Sequence, residues 1–311
     1  MINTLEVKEH INYQYEELCN IIKTENINSV FQPIVSLYDA TVIGYEALSR
    51  GPENSSMQSP EVLLNIAKEY DKLWELEELF RSKALESIYN KKIDVKIFLN
   101  INPIIMNSMR FKDSFTKEYL RKYCLGVENI IFEVTEKEMI SDRESFRITI
   151  EDCKNDNYKI AIDDFGAGYS GFGRIYDIKP HYIKLDMDIV RDIDKDNTKQ
   201  AIVKSIYEFS RLSGCKLVGE GIETEEELKT LINIGVQYGQ GYFIQKPHKD
   251  IMPIRQEVIN IIRNQNDDEI SEVGYNISNV YISSIAKKVD TIHTDTLVRD
   301  VDNILKKNKI Y

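Results

Sequence analysis

The chain is poor in the residues that build soft-metal or redox centres: 311 residues include only four cysteines and four histidines. Cys19, Cys124, Cys153 and Cys215 lie far apart with no C-x-x-C pair, which excludes a zinc knuckle and a disulfide framework and leaves free thiols. No apolar run approaches the roughly 18 residues needed to cross a bilayer. The opening MINTLEVKEH has no apolar stretch behind a basic end, so no secretory signal is read and the cytosol is the expected compartment. Positive charge is also short. Forty Lys and Arg against 51 Asp and Glu leave a net charge of −11, which argues against a general nucleic-acid binder with its basic face. A small phosphate ligand remains compatible with that balance if bound metal supplies positive charge locally. What is present, 42% hydrophobic and 29% charged residues, suits a globular fold of one large domain or two.

Eight short apolar runs read as strands: 30–37, 41–48, 95–101, 129–134, 159–162, 182–185, 216–218 and 236–243. Most are apolar on both parities, as strands covered on both faces are. Helical patterns lie between most of them. Ser59 followed by Pro60 marks a helix start, Ser141-x-x-Glu144 and Thr224-x-x-Glu227 read as capping boxes, and Gly214 and Gly235 stand where helices stop. This alternation predicts an α/β fold, a (β/α)8 TIM-like barrel. Only Tyr38, Asp39 and Ala40 separate the first two strands. A parallel crossover needs a dozen residues or more, so these two must form a hairpin and the barrel must hold one antiparallel strand.

Domain boundaries are expected at residues 1–27, an N-terminal helical segment packed on the barrel; 28–250, the barrel; and 251–311, a tail. In the tail, 251–263 reads as an amphipathic helix, 264–272 as a polar linker, 289–293 as a strand and 296–307 as a helix, a partial α/β piece too small to bury a core alone.

Active sites of such barrels sit at the C-terminal ends of the strands. There the sequence places Glu46, Asn100, Glu133 with Glu136, Asp163 with Asp164, Lys184 with Asp186, Glu220 with Glu223, and Gln240, while Gln32 lies in the reversed first strand. Any one of these is usually solvated or a helix cap. Closing a barrel crowds them into one mouth, where like charges repel unless something positive is bound. Oxygen ligands without His or Cys favour Mg²⁺ or Mn²⁺ over zinc. The histidines, His10, His181, His248 and His293, fall outside the set, and a Ser-His-Asp mechanism has no support. Adjacent Asp163 and Asp164 would face opposite ways in a regular strand, and Gly166 and Gly168 are read as the bend that brings both to one side. Two metals sharing a carboxylate suit phosphodiester hydrolysis, and a lysine among them orients water or neutralises developing charge. GAGYSG and Asp164-Phe165-Gly166 imitate dinucleotide and kinase motifs, but their partner motifs are missing. Asp192-x-Asp194-x-Asp196 lacks the glycine and glutamate of a calcium loop and reads as a solvated acidic loop.

In order, FQPIVSLYDATVIGYEALSR, FLNINP, FEVTE, IDDFGAGYS, YIKLD, GEGIET and QGYFIQKP resemble the EAL family, whose name stands here as Glu46-Ala47-Leu48. The resemblance spans roughly residues 28–248. LSRGP followed by an acidic, tryptophan-containing helix resembles the subgroup in which EAL is followed by CBS and GGDEF domains, and the tail resembles the opening half of a CBS domain. The resemblance implies hydrolysis of cyclic di-GMP to linear pGpG with two Mg²⁺ or Mn²⁺ ions. It implies that Glu46, Asn100, Glu133 and Asp163 hold one ion and that Asp163 and Asp164 hold the second, with Glu220 close by. Lys184 would assist the attacking water, Glu223 and Gln240 would support the metal shell, and Glu136 would anchor the loop after Asp164. Gln32, Leu48, Arg50, Asp186, Gln240 and Pro247 would contact the dinucleotide. The family also implies a homodimer and further regulatory domains beyond residue 311. Ala167, where Thr is commoner, and the continuation Phe172-Gly173 depart from the pattern. Two other readings stay open: a catalytically silent cyclic di-GMP receptor signalling through its tail, and a two-metal barrel hydrolase acting on another phosphodiester.

Overall fold

The computed structural model describes residues 4–91, 95–106, 111, 117–135, 143–166 and 171–272. The chain divides into two compact units, Met1–Arg263 and Asn264–Tyr311. The first holds a closed eight-stranded barrel: β1 (Asn28–Ser36), β2 (Val42–Arg50), β3 (Lys96–Asn100), β4 (Ile130–Thr135), β5 (Lys159–Phe165), β6 (Tyr182–Leu185), β7 (Lys216–Gly219) and β8 (Tyr238–Gly239). β1 runs antiparallel to both its neighbours, β2 and β8, and the other pairings are parallel. The short hairpin therefore places the reversed strand where the loop length requires it. Asn28 pairs with Arg50, so β1 begins at the mouth and runs down to the floor.

The described residues also form helices α1 (Thr4–Thr24), α2 (Pro60–Glu69), α3 (Leu73–Lys91), α4 (Pro103–Met106), α5 (Lys117–Arg121), α6 (Arg143–Asn155), α7 (Gly171–Ile178), α8 (Met187–Val190), α9 (Asn197–Ser213), α10 (Glu225–Ile234) and α11 (Gln256–Glu272). Leu18 and Ile21 of α1 bury against Met57 and against Leu63, Ile66, Leu76 and Leu79 of α2 and α3. Gly214 and Gly235 end α9 and α10 in the left-handed conformation. Thr224 and Glu227 cap each other's backbone at the start of α10. Among the described residues no helix is long and apolar enough to cross a membrane.

Two differences from the sequence reading concern the tail. The helix starts at Gln256 rather than 251, behind Pro253, whose ring blocks continuation from upstream. It then runs through 264–272, which polarity alone had marked as a linker. No glycine or proline interrupts that stretch, and polar side chains solvate a helix without stopping it. The strand at 289–293, the helix at 296–307 and the CBS-like half-domain lie outside the described residues, as do Ser141 and Gly168.

The lumen shows how the sequence builds a site. Ile34, Phe98, Ile131, Ala161, Tyr182 and Val218 form a buried plug, with Tyr238 packed against it. Phe98 and Tyr182 meet edge to face at 5.3 Å. Side chains alternate faces along a strand, so the residue two positions toward the mouth shares the lumen face. That step leads from Phe98 to Asn100, Ile131 to Glu133, Ala161 to Asp163, Tyr182 to Lys184, Val218 to Glu220 and Tyr238 to Gln240. In reversed β1 it leads backward, from Ile34 to Gln32. The apolar plug is thus the floor of a polar mouth.

Candidate active site

Lys184 stands at the centre of that mouth, fully buried. Its Nζ lies 2.8 Å from Glu133 Oε1, 2.9 Å from Glu220 Oε1, 3.0 Å from Asp163 Oδ1 and 3.4 Å from Glu46 Oε2. Four strands besides its own deliver these carboxylates. Asn100 Nδ2 donates to Glu46 Oε1 at 2.9 Å, leaving the amide oxygen as the ligand atom it offers. Gln240 Nε2 donates to Glu46 Oε2 at 2.6 Å and to Gln32 Oε1 at 2.9 Å. Gln32 Nε2 in turn donates to the Gln245 carbonyl at 3.0 Å.

Asp163 and Asp164 do reach one side, and with Glu220 their oxygens lie within 4.8 Å of one another. Gly166 bends as the sequence suggests, with a φ of 102°, and the strand adds a second departure before it. Pairing with β6 slips between Ile162 and Phe165, a β-bulge, and Asp164 itself takes a positive φ of 53°. The positive φ at Asp164, which unlike Gly166 carries a side chain, is the part the glycines did not announce. Short acidic side chains tolerate this conformation better than most.

Burial pushes the Glu133 and Glu220 carboxyls well above the usual carboxylate range. Lys184 opposes that shift, and the neighbouring carboxylates add to it. Burial also disfavours the Lys184 ammonium, but Asp163, Glu133, Glu220 and Glu46 outweigh it and hold its pKa well above the ordinary lysine value. Among the described residues, neither Glu133 oxygen nor Asp163 Oδ1 meets a donor in hydrogen-bond geometry. Lys184 approaches them as a charge at short range. A buried oxygen-rich set that outnumbers its one cation fits hard divalent ions.

The remaining predicted residues fall elsewhere. Leu48 and Arg50 continue the lumen parity of β2 above Glu46, half-buried, and Arg50 Nη1 donates to the Ser49 carbonyl. Half-buried Pro247 lies between Gln245 and His248, where the chain returns beside β1 and exchanges two main-chain hydrogen bonds between Phe31 and His248. Glu223 pairs with Arg191 at 2.5 Å, and that contact lowers its pKa. Asp186 Oδ1 accepts the Asp188 N–H at 2.7 Å, so its carboxylate caps α8. Glu136 lies outside the described residues. His181 sits at the other end of the barrel, its Nδ1 accepting the Ile160 N–H at 3.1 Å. Asp192 pairs with Lys195 and Asp196 caps α9, which accounts for two acids of the calcium-like spacing. Sequence reasoning missed Gln245, which acts through its main-chain carbonyl and so leaves no signal in residue type. It also missed Thr135, which pairs with Asp163 and has a buried Oγ1; its place in FEVTE was the available signal.

The EAL domain family model matches residues 15–247. The probable cyclic di-GMP phosphodiesterase PdeI of Escherichia coli (strain K12) is 30% identical over 225 residues, 70% of this chain and 28% of that protein. Klebsiella pneumoniae BlrP1, solved in a manganese and cyclic di-GMP complex, is 28% identical with a TM-score of 0.65, over 72% of this chain and 56% of that one. A standalone EAL protein from Vibrio cholerae O395, solved bound to cyclic di-GMP, is 28% identical with a TM-score of 0.67, over 75% of this chain and 97% of that one. The chain therefore spans under a third of the curated relative and about half of the BlrP1 chain.

Proposed function

The chain belongs to the EAL domain family, and from that premise we propose that it is a divalent-metal-dependent phosphodiesterase that opens cyclic di-GMP to linear pGpG. The observation that carries this reading is the convergence of Glu46, Glu133, Asp163 and Glu220 from four strands on buried Lys184, with Asp164 close enough to share a ligand cluster. Glu46, Asn100, Glu133 and Asp163 would hold one Mg²⁺ or Mn²⁺, and Asp163, Asp164 and Glu220 would bound the second. Such ions would polarise the phosphoryl oxygens and lower the pKa of a bound water.

The rest falls to the chain's own groups. In the metal-free site Asp163, Glu133, Glu220 and Glu46 hold the Lys184 pKa well above the ordinary lysine value. From the centre of the carboxylate ring its Nζ would orient the attacking water and neutralise charge developing on phosphorus. Gln240 fixes Glu46 and Gln32 together, keeping one wall of the mouth in place. Arg50 has a planar fork suited to a phosphate oxygen pair, and it stands on the same wall. Leu48 and Pro247 would flank a guanine base. Glu223 would support the site through its pairing with Arg191. Asp186 contributes by fixing the turn after Lys184.

A homodimer with α7 and its exposed Tyr176 at the contact, residence in the cytosol where the four free thiols stay reduced, and control by further domains of a longer chain belong to the same proposal. The test is incubation of purified protein with cyclic di-GMP and Mn²⁺ or Mg²⁺, followed by chromatography. The expected result is pGpG, absent with Glu46→Ala. Tight binding without product under either metal would instead leave a silent receptor. Equal turnover of unrelated phosphodiesters would remove the assigned substrate.

A further inference from the structure

Outside the barrel mouth lies a second buried charged cluster that the chemistry above does not use. Glu77 and Arg81, one turn apart on α3, are 5% and 4% exposed. Arg81 Nη1 contacts Glu77 Oε2 at 3.1 Å, and its guanidinium carbon lies 5.6 Å from the ring centres of both Trp74 and Phe111. Burial lowers the pKa of Arg81, with Glu77 as the largest opposing influence. A buried ion pair is weak as a source of stability, since apolar residues of the same volume often do as well. What this one accomplishes is visible at its other oxygen. Glu77 Oε1 accepts the main-chain N–H of buried Asn102 at 3.1 Å.

Asn102 stands two residues after Asn100. The Ile101 N–H between them goes to the Glu133 carbonyl at 2.9 Å, and the Asn102 carbonyl accepts from Ile105 and Met106 of α4. Glu77 therefore supplies the acceptor at the point where β3 stops pairing and turns into α4. Phe111, on one side of Arg81, packs at 5.5 Å on Phe132, the neighbour of Glu133. One buried pair in the outer shell thus touches the segments that carry both Asn100 and Glu133.

We propose that Glu77, locked by Arg81, is a positioning residue that sets the height of Asn100 in the mouth and so the affinity of the site for its divalent ion. This rests on the metal-site reading above, and the test separates the two. Mn²⁺ binding is followed without substrate, by the electron paramagnetic resonance signal of the free ion, beside thermal melts of the metal-free protein. Glu77→Ala is expected to weaken Mn²⁺ binding by about 10–100-fold, the range for groups that orient ligands from behind. Glu77→Gln keeps an oxygen for the Asn102 N–H and should stay within about threefold of wild type on the same scale. Glu77→Asp keeps the charge beside Arg81 but shortens the reach to Asn102. It serves if the alanine variant does not fold, and it should lose at least about fivefold in Mn²⁺ affinity. If Glu77→Asp and any folded Glu77→Ala bind Mn²⁺ as wild type does while melting lower, the pair is only structural and the proposal fails. A wild-type chain that binds Mn²⁺ but yields no pGpG overturns the phosphodiesterase reading and leaves this one standing. A wild-type chain that binds no Mn²⁺ overturns both.

Discussion

The two ends of the barrel are built by one rule and carry opposite charge. At the mouth, the lumen parity of β2, β4, β5 and β7 ends in Glu46, Glu133, Asp163 and Glu220, gathered on one ammonium. At the floor, the same parity begins with Lys96 on β3, Lys159 on β5 and Lys216 on β7. Among the described residues none of these three pairs with a carboxylate. Burial lowers the pKa of Lys96, and Lys159 adds to that shift. Between the two charged layers lies the apolar plug. The floor lysines are partly exposed and water screens them, so their arrangement costs little. At the mouth Glu46, Glu133 and Asp163 are buried and Glu220 is partly so, and their crowding stores repulsion that a bound cation relieves. Like charges gather at both ends, and burial decides what each gathering costs.

Removing the centre of the mouth is the severest way to break this contrast. Lys184→Met should lower the metal-free protein's stability by about 3–5 kcal/mol, because four carboxylates lose the ammonium they share. Added Mn²⁺ should restore much of the melting temperature but not the turnover. An unchanged metal-free melt would show that the carboxylates do not depend on Lys184. A smaller effect is expected on pH. The Glu133 and Glu220 carboxyls titrate higher in the folded chain than in the unfolded one. Their contribution to stability is present below the unfolded value near 4.5 and is lost as pH rises through the folded values. Lys184, whose folded pKa is raised above 10.5, contributes a constant amount across that window. The metal-free protein should therefore melt lower at pH 8 than at pH 5.5, and saturating Mn²⁺ should flatten the slope. A metal-free melting temperature that rises with pH would contradict the assigned shifts. Thr224→Ala, which removes the α10 cap beside Glu223, should cost about 1 kcal/mol in a denaturant titration. The smallest effect belongs to the floor. Lys96→Met should change stability by less than about 0.5 kcal/mol and leave turnover and Mn²⁺ affinity alone. A large loss of turnover from that variant would erase the distinction between the ends.

Much of this was legible before any coordinates. Eight strands, the reversed hairpin strand and the polar residue at each strand end follow from apolar runs, one three-residue loop and the period of two. The limits were local. β8 spans only Tyr238 and Gly239 instead of 236–243, because the Val236 N–H closes the end of α10 on Leu231 and the chain turns again at Gly241. Residue types predicted which groups meet, but not that the single lysine would sit inside the ring rather than beside it. The bend after Asp163 was expected from the glycines, and Gly166 does take a positive φ, but Asp164 takes one as well. Contacts such as Gln32 to the Gln245 carbonyl and Glu77 to the Asn102 amide span 213 and 25 residues and involve main-chain atoms. No pattern in side-chain identity encodes these.

The direction of β1 fixes how motion outside the barrel reaches its acidic rim. Gln32 is four residues from Asn28, roughly 13 Å of extended chain, and only residues 25–27 intervene before Thr24 closes α1. A tug on that helix arrives beside the carboxylates with almost no slack. Had the first strand run with the other seven, the same tug would land at the lysine-bearing base, a full strand length from the chemistry.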